Sequence, residues 1–257
     1  MRIASWNVNS LRVREGHVRE WLESHEPDVL GLQEIKMPTA DFPADAFQEL
    51  GYHGVANGQK TYNGVALLSR QPGTDLSLDL PGFEDEQRRV IAGTYGETRV
   101  INVYVPNGQT VGSDKYAYKM KWLDALRSYL EDELKRYPKL VVMGDFNIAP
   151  EDRDVHDPET WKDKVLCSDL EREQLGALLS LGLQDSFRLF DQADGVFSWW
   201  DYRSAAFRRK LGLRIDLLLV SAALAGDCAA SAIDSEPRAL ERPSDHAPVY
   251  ADFRGDG

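Results

Sequence analysis

The chain alternates between short runs of β-branched or aliphatic residues and longer segments in which apolar residues recur at helical spacing. The short runs predict strands, because they are too short for amphipathic helices and are rich in residues that favour sheets. The predicted strands cover residues 2–6, 29–33, 65–69, 90–95, 99–105, 140–144, 215–221 and 248–253. Several of them are almost wholly apolar, which is typical of strands that are buried on both faces of a sheet.

Three longer segments have the apolar spacing of amphipathic helices. They span residues 15–24, 115–137 and 168–182. The second ends before Pro138, and the third begins with Ser168 and Glu171, which form a capping-box pattern. Some strands follow one another like hairpins, as on either side of Gly96, whereas others are separated by helices. We therefore expect an α/β protein with two mixed sheets in a four-layered α/β/β/α sandwich.

No Pro-, Gly- or Ser-rich linker divides the 257 residues, so we expect one domain spanning residues 1–257. No apolar run approaches the roughly 20 residues that a membrane helix needs, and the first residues have the pattern of a strand, not of a signal peptide. We therefore expect a soluble, cytoplasmic protein with no membrane contact. The only two cysteines, Cys167 and Cys228, lack the spacing of a zinc site, which favours buried thiols.

The net charge of −12 argues against a nucleic-acid partner if only the whole chain is considered. Phosphates are contacted by local basic patches, however, and a cluster of acidic metal ligands would itself add negative charge. One clear basic segment, RSAAFRRKLGLR, occupies residues 203–214. The overall charge therefore does not exclude a nucleic-acid substrate.

Polar side chains stand at the ends of successive predicted strands or beside them. They are Asn7, Asn9, Glu34, Tyr104, Asn107, Asp145, Asn147, Asp216, Asp245 and His246. A single Asn or Asp after a strand is usually a turn residue, but strand ends in open α/β sheets also border the ligand crevice. Carboxylate and amide oxygens without a Cys donor suit Mg²⁺ or Mn²⁺ better than zinc. Because carboxylate and amide side chains recur at the ends of successive strands, we expect a site for a hard metal ion there.

Asp216 lies in an otherwise apolar strand, where an unpaired carboxylate would be costly to bury. His246 is the natural partner, because a carboxylate that accepts from one imidazole nitrogen fixes the tautomer and favours the cation. The other nitrogen would then be free to contact a phosphate oxygen.

Eight segments of the chain resemble, in order, motifs of the bacterial exonuclease III group of apurinic/apyrimidinic (AP) endonucleases. They are WNVNSLR, LQEIK, YNGVALLS, VYVPNG, GDFNIAP, FSWWDYR, GLRIDLLLVS and SDHAPV. The group belongs to the endonuclease/exonuclease/phosphatase superfamily that includes DNase I, so the resemblance implies a DNase I-like fold. It also implies a Mg²⁺-dependent DNA phosphodiesterase of base excision repair, in which Mn²⁺ can substitute.

The expected substrate is double-stranded DNA with abasic sites or 3′ ends, and we expect the protein to act as a monomer. The resemblance implies cleavage 5′ to abasic sites, 3′–5′ exonuclease activity and 3′-phosphatase or phosphodiesterase activity. The relative strengths of these three activities are left open.

Site residues follow from the resemblance in three overlapping sets. The metal-binding set is Asn7, Glu34, Asp145, Asn147 and Asp245. The catalytic set is Tyr104, Asp145, Asn147, Asp216 and His246. The substrate-binding set is Asn9, Lys36, Tyr62, Arg88, Asn107, Lys119, Trp200 and His246. Within them, Trp200 is expected to line a pocket for an extrahelical sugar, and either Asp145 or His246 could activate the attacking water.

One position departs from the family pattern. Some relatives have Asp where this chain has Asn9, so the number of metal ions is open, and we expect a single tight Mg²⁺ site. Two other functions remain to be distinguished. A superfamily phosphatase acting on small-molecule or lipid phosphates would share much of the polar set, and a non-catalytic RNA-binding regulatory relative would share the fold. The segment FSWWDYR and the basic segment after it favour DNA, and the intact polar residues favour an enzyme.

Overall fold

The structure is a computed structural model, and it describes residues 1–255. Its strands are β1 (Arg2–Asn7), β2 (Val29–Gln33), β3 (His53–Asn57), β4 (Val65–Ser69), β5 (Thr74–Leu78), β6 (Val90–Tyr95), β7 (Thr98–Tyr104), β8 (Lys139–Asp145), β9 (Leu183–Asp185), β10 (Trp199–Trp200), β11 (Gly212–Leu213), β12 (Asp216–Ser221), β13 (Cys228–Ile233) and β14 (Val249–Phe253). Its α-helices are α1 (Leu11–His25), α2 (Ala44–Gln48), α3 (Asp114–Arg136), α4 (Pro158–Trp161), α5 (Asp169–Leu179) and α6 (Ala222–Asp227). Short 3₁₀ helices cover Thr39–Asp41, Asp152–Asp154, Ser186–Leu189, Arg203–Ala205 and Glu236–Ala239.

Two six-stranded sheets form the centre of the molecule. The first has the strand order β13-β14-β1-β2-β4-β3, and the second has the order β5-β6-β7-β8-β12-β9. In each sheet one pair is parallel, β1 with β2 and β7 with β8, whereas the other neighbours are antiparallel. Strands β10 and β11 form a separate two-stranded ribbon. Both large sheets are therefore mixed, as the sequence predicts.

The sheets pack face to face because their strands are apolar on both sides. In β1, Ile3 points into the core between the sheets, whereas Ala4 points outward into the core beneath α1. Helix α1 buries Val18 and Trp21 against that outer face of the first sheet. Helices α3 and α5 cover the outer face of the second sheet. The four-layered α/β/β/α sandwich is thereby confirmed.

A buried polar contact joins the two sheets near the ends of their central strands. The side-chain amide of Asn102 in β7 donates to the main-chain oxygens of Leu32 and Ala66 in the opposite sheet, at 2.9 Å each. Gln33 donates in turn to Asn102 Oδ1 at 2.6 Å. The approach requires glycine at position 31, because a Cβ on Gly31 would lie 2.8 Å from Asn102 Cγ. These bonds fix one sheet relative to the other where β2 and β7 end.

The eight predicted strands all occur, each within one residue of its predicted ends. Strands β3, β5, β9, β10, β11 and β13 were not predicted from the sequence. Three of them have only two or three residues, β5 is largely exposed, and β13 consists mostly of small residues, so none shows a strong apolar run. Helix α5 has the predicted capping box between Ser168 and Glu171, and α1 begins earlier than predicted, at Leu11. No helix among residues 1–255 is long and apolar enough to cross a membrane.

Candidate active site

The predicted polar residues lie close together at one edge of the two sheets, where the central strands end. Asn7, Tyr104 and Asp145 are the last residues of β1, β7 and β8, and Glu34 directly follows β2. Because β1 runs parallel to β2 and β7 runs parallel to β8, all four strand ends lie at this edge. Asp216 is the first residue of β12, which runs antiparallel to β8 and places it opposite Asp145. The topology thus brings together residues that are far apart in sequence.

Asn7 connects the acidic groups of the two sheets. Its side chain is fully buried, and its Nδ2 donates to Glu34 Oε1 and to Asp145 Oδ2, at 2.9 Å each. Its Oδ1 accepts from the main-chain N–H of Asn9 at 3.0 Å. Asn7 therefore holds two carboxylates at a fixed separation that their mutual repulsion would otherwise increase.

Asp216 and His246 form the predicted pair. His246 Nδ1 lies 2.9 Å from Asp216 Oδ2 and 3.1 Å from Asp216 Oδ1, and both residues are almost fully buried. The other nitrogen, Nε2, lies 3.6 Å from Asp145 Oδ2. Burial alone would lower the pKa of His246, but the Asp216 and Asp145 carboxylates outweigh it and raise that pKa to about 10. His246 is therefore a cation at neutral pH, with Nε2 directed toward the other acidic groups.

Asp145 is a second buried carboxylate beside this cation. Burial raises the pKa of Asp145 to about 7, although His246 opposes the increase. Its Oδ1 accepts from the main-chain N–H of Asn147 at 2.9 Å. Asn147 has a positive φ of 48°, and its Nδ2 donates to Val105 O at 2.9 Å while its Oδ1 accepts from Asn107 at 3.2 Å. A carboxyl group with a pKa near neutrality can both accept and release a proton, which is the requirement for general acid–base catalysis.

Tyr104 lies beside the same acidic groups. The guanidinium carbon of Arg89 stands 4.6 Å from the centre of the Tyr104 ring, and Arg89 also donates to the main-chain oxygen of Tyr104. Burial raises the pKa of Tyr104 well above its ordinary value, and Glu34 and Asp145 add to the increase. Tyr104 therefore keeps its hydroxyl proton and can donate a hydrogen bond to an anionic ligand.

Asp245 lies beside this group and is held by two donors. Asn9 Nδ2 donates to Asp245 Oδ1 at 3.1 Å, and Trp199 Nε1 donates to Asp245 Oδ2 at 3.0 Å. Lys36 Nζ donates to Asn9 Oδ1 at 2.6 Å and lies 3.4 Å from Glu34 Oε2. The predicted residues Asn9 and Lys36 therefore form a polar bridge between Asp245 and Glu34.

One group of acidic and imidazole side chains within residues 1–255 has the spacing of a metal site. Ligand atoms of Glu34, Asp145 and His246 lie within 4.8 Å of one another. His246 is protonated and paired with Asp216, so the oxygens of Glu34 and Asp145 are the more suitable ligands. Hard oxygen donors of this kind fit Mg²⁺ or Mn²⁺. Asp245 lies outside this compact group.

A cavity of about 510 Å³ opens next to Tyr104. Its lining includes Tyr62, Arg89, Asn107 and Lys115, so it combines cations, amides and aromatic surface. Tyr62 is 67% exposed at its rim. Such a lining is suited to a phosphate-bearing ligand that extends away from the acidic group.

Lys119 does not lie on the substrate surface, contrary to the prediction. It is completely buried, forms an ion pair with Glu171, and donates to the main-chain oxygens of Asn107 and Asn147. Burial lowers the pKa of Lys119, and Glu171 opposes that change. Helical periodicity places Lys119 on the face of α3 that packs against the protein, so its charge has an internal partner.

Trp200 and Arg88 also differ from their predicted positions, and in each case the neighbouring residue faces the site. Trp200 is buried and packs edge-on against Phe207 at 5.0 Å, whereas Trp199 contacts Asp245. Arg88 pairs with Asp79 at 2.8 Å, whereas Arg89 lines the cavity. Trp199 and Trp200 form strand β10, in which adjacent side chains point to opposite sides, so only one of the two can face the site.

That alternation was the available signal for Trp199, which the sequence analysis did not identify, whereas Arg89 precedes β6 and had no such signal. The basic segment at residues 203–214 is also only partly a surface feature. Arg203, Arg208 and Arg209 are exposed, but Arg214 is buried and binds Asp154 at 2.7 Å.

A model of the Endonuclease/Exonuclease/phosphatase family matches residues 4–246 of the chain. Exodeoxyribonuclease III of Haemophilus influenzae is 40% identical over 267 aligned positions, which cover 99% of this chain and 100% of that protein. The chain belongs to the endonuclease/exonuclease/phosphatase family.

Two solved structures are similar to the chain in both sequence and fold. The 3′ phosphatase NExo from Neisseria, bound to a product DNA hairpin, is 51% identical with a TM-score of 0.98, and the alignment covers 99% of this chain and 100% of that chain. An AP endonuclease from Archaeoglobus fulgidus is 37% identical with a TM-score of 0.95, over 99% and 100% of the two chains. Membership of the exonuclease III group of nucleases, predicted from the eight sequence segments, is thus confirmed.

Proposed function

We propose that the protein is a Mg²⁺-dependent phosphodiesterase that cleaves double-stranded DNA 5′ to abasic sites and removes nucleotides and phosphates from 3′ ends. The observation that carries the proposal is the convergence of Glu34, Asp145 and the Asp216–His246 pair beside a cavity with cationic lining. All these groups come from one chain, which supports action as a monomer. Because the similar exodeoxyribonuclease III comes from a bacterium, where DNA lies in the cytoplasm, we propose the same location for this protein.

Glu34 and Asp145 would supply the oxygen ligands for one Mg²⁺, because Asn7 holds both carboxylates, and Asp245 and Asn147 would support them through Asn9 and through the Asp145 carboxylate. When bound, Mg²⁺ supplies positive charge that neutralises the phosphate oxygens and the departing oxygen. Asn9 provides an amide where some relatives have a carboxylate, which supports a single ion.

Asp145 orients the attacking water and accepts its proton, because its carboxylate is buried and is fixed by Asn7 and Asn147 beside His246. His246 Nε2 and the Tyr104 hydroxyl donate hydrogen bonds to the scissile phosphate. Asp216 keeps His246 protonated, so His246 acts as a fixed positive charge and Asp145 is the better base.

All three activities can use this one arrangement. In each reaction water attacks phosphorus, the bond to the 3′ oxygen breaks, and the departing 3′ oxygen takes up a proton from solvent water. The substrates differ only in what is attached to the other side of the phosphate. Arg89, Lys115, Tyr62 and Asn107 are placed to hold that remaining part in the cavity. The 51% identical relative is described as a 3′ phosphatase, which supports terminal 3′ phosphates as substrates.

The test is a panel of matched duplexes that carry an internal abasic site, a recessed 3′ end or a 3′ phosphate. Each is incubated with the purified protein in Mg²⁺, in Mn²⁺ and in chelator, and the products are separated on denaturing gels. We expect cleavage in Mg²⁺ and Mn²⁺ and none in chelator. Inositol phosphates and nucleotide monophosphates serve as controls for a small-molecule phosphatase.

Two outcomes would contradict the proposal. Hydrolysis of the small phosphates without cleavage of any duplex would assign the chain to the phosphatase branch of the superfamily. Absence of hydrolysis with every substrate, combined with tight RNA binding, would indicate a non-catalytic relative.

A further inference from the structure

Lys119 occupies a position that the proposed chemistry leaves unexplained. It lies in the second turn of α3 and is 0% exposed. Its ammonium group donates to Asn107 O at 3.1 Å and to Asn147 O at 2.7 Å, and its third partner is the Glu171 carboxylate. Three acceptors match the three N–H groups of a lysine ammonium, so the group is completely satisfied inside the protein.

The contact requires a close approach between α3 and the loop after β7. Gly108 in that loop has a φ of +89°, and a Cβ there would lie 3.1 Å from Lys119 Cδ. A side chain at position 108 would therefore press on the aliphatic part of Lys119 as well as strain the backbone. The loop conformation and the buried lysine are fitted to each other.

Both carbonyl groups belong to residues whose side chains face the active site. Asn107 lines the cavity and donates to Asn147 Oδ1 at 3.2 Å. The main-chain N–H of Asn147 donates to Asp145 Oδ1 at 2.9 Å. A displacement of either carbonyl would move these amides, and through Asn147 it would alter the support of the Asp145 carboxylate.

We propose that Lys119 is a positioning residue for the hydrolytic reaction, whose ammonium group holds the loops that carry Asn107 and Asn147 in their reactive arrangement. This inference rests on the proposed function, because it concerns the same reaction. Lys119 itself contacts neither the cavity nor the active-site carboxylates Glu34 and Asp145. It therefore acts through Asn107 and Asn147.

Glu171 fixes the ammonium group relative to α5 and does not depend on Lys119 for all its hydrogen bonds. It also accepts from Leu166 N at 3.0 Å, Ser168 N at 3.1 Å and Ser168 Oγ at 2.6 Å. A Lys119→Met variant keeps these three donors and a side chain of similar length. We therefore expect that variant to fold, with a lower melting temperature.

The matched control is the buried ion pair at the other end of α3. Arg99 and Glu133 are each 2% exposed, their charged groups are 2.6 Å apart, and neither contacts a residue of the active site. Arg99→Met therefore removes a buried cation of the same kind without touching the two loops. Lys119→Arg tests rescue, because it keeps the charge and the donors.

The experiment measures kcat and KM on the 3′-phosphate duplex at a temperature where every variant is folded. A displacement of about 1 Å can cost roughly 100-fold in rate, so we expect Lys119→Met to lower kcat by about 10- to 100-fold. KM should stay within about 3-fold of the parent, because Tyr62, Arg89 and Lys115, which Lys119 does not hold, supply most of the proposed contacts to DNA. Arg99→Met should keep the parent kcat, and Lys119→Arg should recover part of the loss.

A Lys119→Met protein with the same kcat as Arg99→Met would overturn the proposal, whatever its melting temperature. If Lys119→Met fails to fold, the Lys119→Met/Glu171→Gln double variant, which removes both charges, is measured in its place. The same kcat as Arg99→Met would again overturn the proposal.

A second measurement does not depend on turnover. Side-chain amide signals of Asn107 and Asn147 in ¹H–¹⁵N spectra should shift in Lys119→Met and not in Arg99→Met. If the parent protein cleaves no DNA, the proposed function fails, and unshifted amide signals would then separately overturn the role of Lys119.

Discussion

The charge on His246 depends chiefly on two buried carboxylates, Asp216 and Asp145. Asp216 contacts Nδ1 with both of its carboxylate oxygens. Asp145 approaches the opposite nitrogen at 3.6 Å, so the imidazolium lies between two carboxylates. This arrangement converts a side chain that normally titrates near neutrality into a constant positive charge.

Replacing Asp216 by Asn should lower the pKa of His246. The carboxylates favour the imidazolium and raise its pKa to about 10, so removal of one carboxylate shifts the titration toward lower pH. We expect a decrease of at least about 1 unit, and a fall in kcat of roughly 10²- to 10⁴-fold. The pKa is measured by NMR of the ¹⁵N-labelled imidazole in protein without metal ions. An unchanged titration midpoint would exclude Asp216 as the group that keeps His246 charged.

Trp199 and Trp200 should respond differently to replacement by Phe. Trp199→Phe removes the donor to Asp245 Oδ2, and Asn9 and Lys36 connect Asp245 to the ligand Glu34, so we expect Mg²⁺ affinity to fall by about 10-fold with little change in melting temperature. Trp200→Phe leaves a gap in the buried cluster and should cost about 1–3 kcal/mol of unfolding free energy without altering Mg²⁺ affinity. Calorimetric titration and denaturant unfolding measure the two effects. The reverse pattern would place Trp200, not Trp199, at the site.

At the scale of the elements, the site depends on how closely β7 and β8 approach near their ends. Gly144 precedes Asp145 and has a φ of +147°, and a Cβ there would lie 1.8 Å from Val103 O in the neighbouring strand. The clash is with backbone, which a rotamer change cannot relieve. Gly144 thus allows β8 to turn Asp145 toward the other carboxylates.

Gly144→Ala should destabilise the protein by at least about 3 kcal/mol, because it combines backbone strain with a collision between strands. Gly176→Ala is the control, since a Cβ at that position of α5 meets nothing within 4 Å. Alanine should stabilise the helix there by about 0.5–1 kcal/mol. Urea unfolding measures both changes. Equal stability of the two variants would refute the close approach at Gly144.

Some side-chain contacts between these elements could be predicted from the sequence, and others could not. The pairing of Asp216 with His246 followed from sequence because a carboxylate in an apolar strand demands a partner. The burial of Lys119 depends on Glu171, which lies on another helix. A contact between two helices cannot be predicted from the local sequence around Lys119. The choice between Arg88 and Arg89 could not be made from the sequence, because both residues precede β6 and no strand alternation orients their side chains.

At the scale of the whole molecule, both sheets contribute to one site. Glu34 and Asn7 come from the first sheet, whereas Tyr104, Asp145 and Asp216 come from the second. The Asn102 contacts between the sheets lie next to these residues along β2 and β7. A catalytic site of this kind is lost if the two sheets separate.

We therefore expect residues 1–257 to unfold as one domain. Differential scanning calorimetry should give a single transition, with calorimetric and van't Hoff enthalpies that agree within about 10%. The shared core between the sheets is the physical reason, because neither sheet can bury both of its faces alone. Two resolved transitions would indicate that the sheets belong to separate folding units.

In the proposed mechanism, activation of water by Asp145 takes place at a metal-assisted site formed by both sheets. It is tested by single-turnover cleavage of the abasic-site duplex with excess enzyme, comparing the parent protein with Asp145→Asn. The change keeps the size of the side chain but removes the base, so we expect the rate in Mg²⁺ to fall by at least about 10³-fold, while DNA affinity and melting temperature change little. An Asp145→Asn protein that cleaves the duplex as fast as its parent would contradict the account.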